Sequence, residues 1–137
     1  MVELSFTIYK TLSKNLESII AQLEELTRSL FPEILNIYQH PNSGAHEKKD
    51  GSPVTAADMH AHKVIVNFLE SHFPDIPIVS EESFQQKNYR PAKEFWIIDP
   101  IDGTKEFVNK SDEFTTNIAL IQNGKPFIGV VGAPAFD

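Results

Sequence analysis

The sequence contains no cysteine, which excludes a disulfide framework and thiol chemistry and fits a reducing compartment. It has no apolar run approaching the roughly 20 residues that a bilayer-spanning helix needs. Met1 to Lys10 carries polar residues throughout and lacks the apolar core of a signal peptide. The expectation is a cytoplasmic protein without a transmembrane segment, with a peripheral place at the inner membrane as the alternative. Basic residues are in deficit, 12 Lys and Arg against 19 Asp and Glu, for a formal net charge of -7. No basic stripe is visible, so a nucleic-acid polymer is not the expected partner. An acidic protein that handles phosphates must take its positive charge from elsewhere, and metal ions are the obvious source. Also absent are a P-loop, HExxH, GxSxG and a dinucleotide fingerprint. There are no internal repeats and no low-complexity tract.

What is present suits one domain with a buried core: 137 residues, 41% hydrophobic and 23% charged. Leu12, Leu16, Ile19, Ile20, Leu23, Leu26 and Leu30 recur at helical spacing and predict an amphipathic helix over about residues 11 to 30. Pro32 is expected to end or kink it, or to open a second helix running to about Tyr38. Residues 40 to 52 and 84 to 93 read as polar loops. Thr55-Ala56-Ala57-Asp58 resembles a capping box. It opens a helix with an apolar face of Ala57, Ala61, Val64, Ile65, Phe68 and Leu69. Ile76 to Ser80 reads as a short strand ending in Glu81-Glu82, and Phe95 to Ile98 as a buried strand stopping at Asp99-Pro100. Thr116 to Gln122 and Phe127 to Val131 form a hairpin about Asn123-Gly124. Helices come first and hairpin strands later, so the fold class is α+β.

The chemistry concentrates in Asp99-Pro100-Ile101-Asp102-Gly103-Thr104. A buried strand fixes Asp99, and the turn after it brings Asp102 back beside it. Two such carboxylates repel unless a cation lies between them. Magnesium, a hard ion with oxygen ligands, suits Asp99, Asp102 and the Ile101 carbonyl. Gly103-Thr104 is expected to start a short helix whose free amides favour phosphate. Read alone, this is an ordinary acidic turn; the second acidic pair, Glu81-Glu82, also placed after a strand, argues for a metal site. Asp58 reads as a helix-capping residue, as a carboxylate that orients or deprotonates a water, or as both. The five histidines show no ligand pattern and read as surface or structural. Lys48 and Lys49 read as solvated loop charges, with a contact to substrate phosphate as the alternative.

Three motifs in order carry a resemblance: Pro53-Val54-Thr55-Ala56-Ala57-Asp58, Ser80-Glu81-Glu82-Ser83 and Trp96-Ile97-Ile98-Asp99-Pro100-Ile101-Asp102-Gly103-Thr104. Together they resemble the lithium-sensitive, magnesium-dependent phosphatases of the inositol monophosphatase superfamily, over about residues 33 to 137. Asp102 to Phe107, Phe114 to Leu120, Gly124 to Pro126 and Gly129 to Val131 look like the bacterial 3'(2'),5'-bisphosphate nucleotidase branch. The resemblance implies helices packed on a largely antiparallel sheet, the first half of the layered sugar-phosphatase fold. It implies hydrolysis of the 3'-phosphate of adenosine 3',5'-bisphosphate, a by-product of sulfate assimilation, with two or three Mg2+ ions in the complete site. It assigns Glu81, Asp99, Asp102 and the Ile101 carbonyl to magnesium. Thr104 would hold the attacking water, Asp58 would polarise it, and Glu81 would take part in catalysis. Asp102, Gly103, Thr104 and Glu81 would meet the substrate.

Two departures stand out. The family's third motif, a Trp-Asp pair, has no counterpart, because Trp96 is the only tryptophan. Pro32 also falls inside the family's first helical region. The expectation is therefore that residues 1 to 137 form an N-terminal metal-binding domain, without the family's C-terminal domain, weak as a catalyst alone and prone to self-association through an exposed sheet edge. The alternatives are an inositol monophosphatase and a non-catalytic metal- or phosphate-binding fragment.

Overall fold

In the computed structural model, residues 2–40, 46–47, 53–83 and 92–136 are described, with side chains for 15–40, 55–83 and 92–136. Residues 41–45, 48–52 and 84–91, including Lys48 and Lys49, lie outside them, and with them most of the two stretches expected to be loops. The chain opens with one helix, α1 (Val2–Gln39), which runs straight through Pro32. The expected break does not occur. A proline inside a helix costs about 3 kcal/mol, but Pro32 faces solvent while Leu30, Phe31 and Ile34 beside it are buried. Packing on both sides of the proline outweighs the missing amide.

Two short strands follow, paired antiparallel: β1 (His46–Glu47) within the stretch expected to be loop and β2 (Pro53–Val54) directly after it. Thr55 then caps α2 (Ala56–His72) with the capping box expected from the sequence. Ala57, Ala61, Ile65 and Leu69 of α2 are fully buried.

The main sheet has the order β3-β4-β5-β6, from β3 (Ile78–Ser80), β4 (Glu94–Asp102), β5 (Thr115–Gln122) and β6 (Lys125–Gly132). Only β3 and β4 run parallel. Helices α1 and α2 cover one face, where Trp96, Ile98, Ile118, Leu120, Ile128 and Val130 join the core. The other face exposes Ile97, Phe127 and Val131. Asn123 and Gly124 both take positive φ, 50° and 75°, as a tight hairpin turn demands.

The largest difference from the sequence reading lies in β4. It does not stop at Asp99-Pro100 but continues to Asp102 through a bulge. Asp99 pairs with Asn117 and Asp102 with Thr115, so three steps on β4 span two on β5. A bulge tolerates a residue without an amide. Pro100 is buried there, and its carbonyl accepts from Thr116 Oγ1 at 2.8 Å.

Candidate active site

The site forms where α2 begins, where β3 ends and where β4 bulges. Parallel pairing of β3 with β4 sets Ser80 opposite Ile98, and the Glu81 amide donates to the Ile98 carbonyl at 3.1 Å. Glu81 is thereby delivered beside Asp99. Helix α3 (Thr104–Val108) leaves the bulge immediately after Gly103. Gly103 has φ 89°, and a Cβ there would lie 2.7 Å from the Glu113 carbonyl oxygen. Only glycine meets both conditions without strain.

Asp58 is fully buried and held on both oxygens. Its Oδ2 accepts from the Thr55 amide at 2.8 Å and from Thr55 Oγ1 at 2.5 Å. Its Oδ1 accepts from Thr104 Oγ1 at 3.1 Å. Asp58 thus caps α2 and bonds Thr104 in one geometry. Thr104 Oγ1 also lies 3.0 Å from the Ile101 carbonyl, a second acceptor for its single proton. The hydroxyl keeps lone pairs with which to accept from a water.

Asp99 behaves differently. Its Oδ1 is buried and has no hydrogen-bond partner. Burial, then the charges of Glu81, Asp102, Glu82 and Asp58, push its carboxyl up to about 7. Four acidic residues therefore act on one partly desolvated carboxylate. Among the described residues, no group of three or more acidic or histidine side chains stands at the spacing of a closed ion cage. The donor set still fits a hard cation: carboxylates, a backbone carbonyl and an orphaned buried oxygen. Reorientation of the exposed Glu81 and Asp102 side chains would be needed to complete it.

Two neighbours were not singled out by sequence reasoning. Asn117, opposite Asp99 across β4 and β5, donates through Nδ2 to Asp102 Oδ2 at 3.2 Å. Thr115 Oγ1 donates to its Oδ1 at 3.2 Å, which fixes the amide's orientation. Its signal in the sequence was an amide side chain directly before the apolar run Ile118 to Ile121. His62 is the other, bonded to Ser80. His40, His60 and His72 are exposed, as expected of surface histidines.

A helix-backed sheet that gathers carboxylates and a buried Asp-Thr pair around a bulge defines a class. Residues 15–137 match the inositol monophosphatase family, and the chain belongs to that family. Within it, the chain is 44% identical over 117 residues to the 3'(2'),5'-bisphosphate nucleotidase CysQ of Salmonella typhimurium, covering 84% of this chain and 48% of that protein. The crystal structure of CysQ from Bacteroides thetaiotaomicron superposes with a TM-score of 0.65 at 38% identity, over 85% of this chain and 42% of that one. An IMPase/NADP phosphatase complexed with Mg2+ and phosphate shares the fold, with a TM-score of 0.70 at 23% identity, over 91% of this chain and 46% of that one. The chain spans about half the length of the curated relatives it matches.

Proposed function

We propose that the chain carries the metal-binding part of a magnesium-dependent phosphatase whose substrate is adenosine 3',5'-bisphosphate. The observation that carries this reading is the pairing of two unlike carboxylates: Asp58, bonded to Thr104, and Asp99, with an orphaned buried oxygen among like charges. Glu81, Asp99, Asp102 and the Ile101 carbonyl would hold the cation. Magnesium, when bound, supplies positive charge for the transferring phosphoryl and the leaving oxygen. Thr104 Oγ1 accepts a hydrogen bond from the attacking water and passes its own proton toward Asp58 Oδ1. The hydrogen bonds from Thr55 keep Asp58 aimed at Thr104. The amides of Gly103 and Thr104 face the phosphate. The likeness to CysQ nucleotidases supports the choice of substrate.

The reading extends to a cytoplasmic, lithium-inhibited enzyme with a small-molecule substrate. No helix among the described residues is long and apolar enough to cross a membrane. It also includes self-association through β6, which among the described residues pairs only with β5 and carries the exposed Phe127 and Val131. Sedimentation of the parent and of Phe127→Lys would measure it; a monomeric parent removes that part of the reading.

The substrate is tested by phosphate release from the full-length protein with Mg2+. A higher kcat/KM for adenosine 3',5'-bisphosphate than for inositol 1-phosphate is expected, with turnover lost in Asp58→Asn. The reverse order would move the protein to the inositol phosphatases. Turnover that survives Asp58→Asn would remove the assigned proton path.

A further inference from the structure

We propose that His62 is a positioning residue that ties the helix carrying Asp58 to the strand end carrying Glu81, an inference that rests on the metal-site reading above. His62 lies one helical turn after Asp58 on α2, so it emerges from the same side of that helix. Its Nδ1 stands 2.7 Å from Ser80 Oγ. Ser80 is 1% exposed and is the last residue of β3, directly before Glu81. The Glu82 amide donates to the same Oγ at 3.4 Å. One hydroxyl therefore grips the peptide on the far side of Glu81 while the imidazole holds that hydroxyl to α2.

The proton count is consistent with a neutral ring. With the Glu82 amide donating to Ser80 Oγ, that hydroxyl has its own proton to give to Nδ1, an arrangement that puts the imidazole proton on Nε2. Burial lowers the pKa of His62, which favours that form. Half-buried, and with Nδ1 bonded to a buried strand-end serine, His62 is unlike the exposed His60 two residues earlier. The ladder between β3 and β4 sets the height of Glu81 relative to Asp99. The bond between His62 and Ser80 sets the remaining distance, from Glu81 back to Asp58. A ligand held this way needs little reorganisation when the cation arrives.

The test is Mn2+ affinity, measured by water-proton relaxation on residues 1–137, alongside thermal unfolding. His62→Ala and Ser80→Ala should each weaken Mn2+ binding by about 10-fold. The double variant should be no worse than either one, because both remove the same contact. His62→Asn, whose amide can occupy the place of Nδ1, should restore most of the affinity. In the parent, long-range nitrogen spectra should show the His62 proton on Nε2. Equal Mn2+ affinity in Ser80→Ala and parent, with binding lost in Asp99→Asn, overturns the positioning role and leaves the metal site standing. The same holds if His62→Ala melts lower yet binds Mn2+ as the parent does. Undiminished binding in Asp99→Asn overturns the metal site and, with it, this proposal. Should His62→Ala not fold, Ser80→Ala and His62→Asn carry the test alone.

Discussion

The start of α2 and the bulge of β4 each withdraw a carboxylate from water, and they treat it in opposite ways. Asp58 receives hydrogen bonds from the Thr55 amide, Thr55 Oγ1 and Thr104 Oγ1. Both of its oxygens are satisfied by donors within the protein. Asp99 has a buried oxygen with no partner and acidic neighbours on several sides. Among the described residues no donor reaches that oxygen, and its carboxyl is pushed up to about 7. The first carboxylate is satisfied within the fold. The second has a buried oxygen that no described residue satisfies, and the proposed cation would complete it.

The sharpest way to break this comparison is metal binding. Asp99→Asn should weaken Mn2+ binding by residues 1–137 by on the order of 100-fold, since a direct ligand matters at least as much as its supporting groups. Asp58→Asn should leave that affinity nearly unchanged. Relaxation titration measures both, and equal losses would erase the distinction between the two carboxylates.

Stability should divide them the other way. Asp58→Ala removes the reciprocal cap and leaves the buried Thr55 groups unpaired, at a cost of about 2 kcal/mol in urea unfolding. Gly103→Ala should cost about 1–2 kcal/mol, through its positive φ and its approach to the Glu113 carbonyl. A Gly103→Ala protein as stable as the parent would mean that the bulge is not held in this shape.

The smallest effect sharpens the comparison through pH. The folded pKa of Asp99 lies above the unfolded value of 3.8, so the native state holds this proton more tightly. The stability from protonated Asp99 is full below about pH 4 and is lost as pH rises through about 7. Without metal, unfolding free energy should therefore fall over that window, and Asp99→Asn should flatten the slope and gain about 1 kcal/mol at pH 8. Saturating Mg2+ should flatten it in the parent as well. An unchanged slope in Asp99→Asn would locate the titration elsewhere.

Local chemistry made much of this legible beforehand. The capping box at Thr55 and Asp58, the apolar stripe of α2 and the Asn123-Gly124 hairpin each depend on residues close together in the chain. They appear in the structure as the sequence implied. Motif spacing singled out Glu81, Asp99, Asp102 and Thr104, and the structure gathers these residues at the end of β3 and the bulge of β4. Pro32 and Asp99-Pro100 were misread as breaks. In both places the local cost of proline was known, but the burial that offsets it, or the bulge that absorbs it, comes from distant segments.

By itself, the sequence determined the main helices, the four strands of the larger sheet and the acidic residues that gather at the β4 bulge. Only the tertiary structure decided that the two carboxylates differ. Periodicity and motif spacing are properties of one segment, whereas compensation of charge depends on which atoms meet across segments. Thr104 comes 46 residues after Asp58 to satisfy it, His62 reaches across to Ser80, and the β4 bulge leaves an oxygen of Asp99 buried without a partner. Burial and hydrogen bonding between elements set those outcomes, and neither is written in any one stretch of chain.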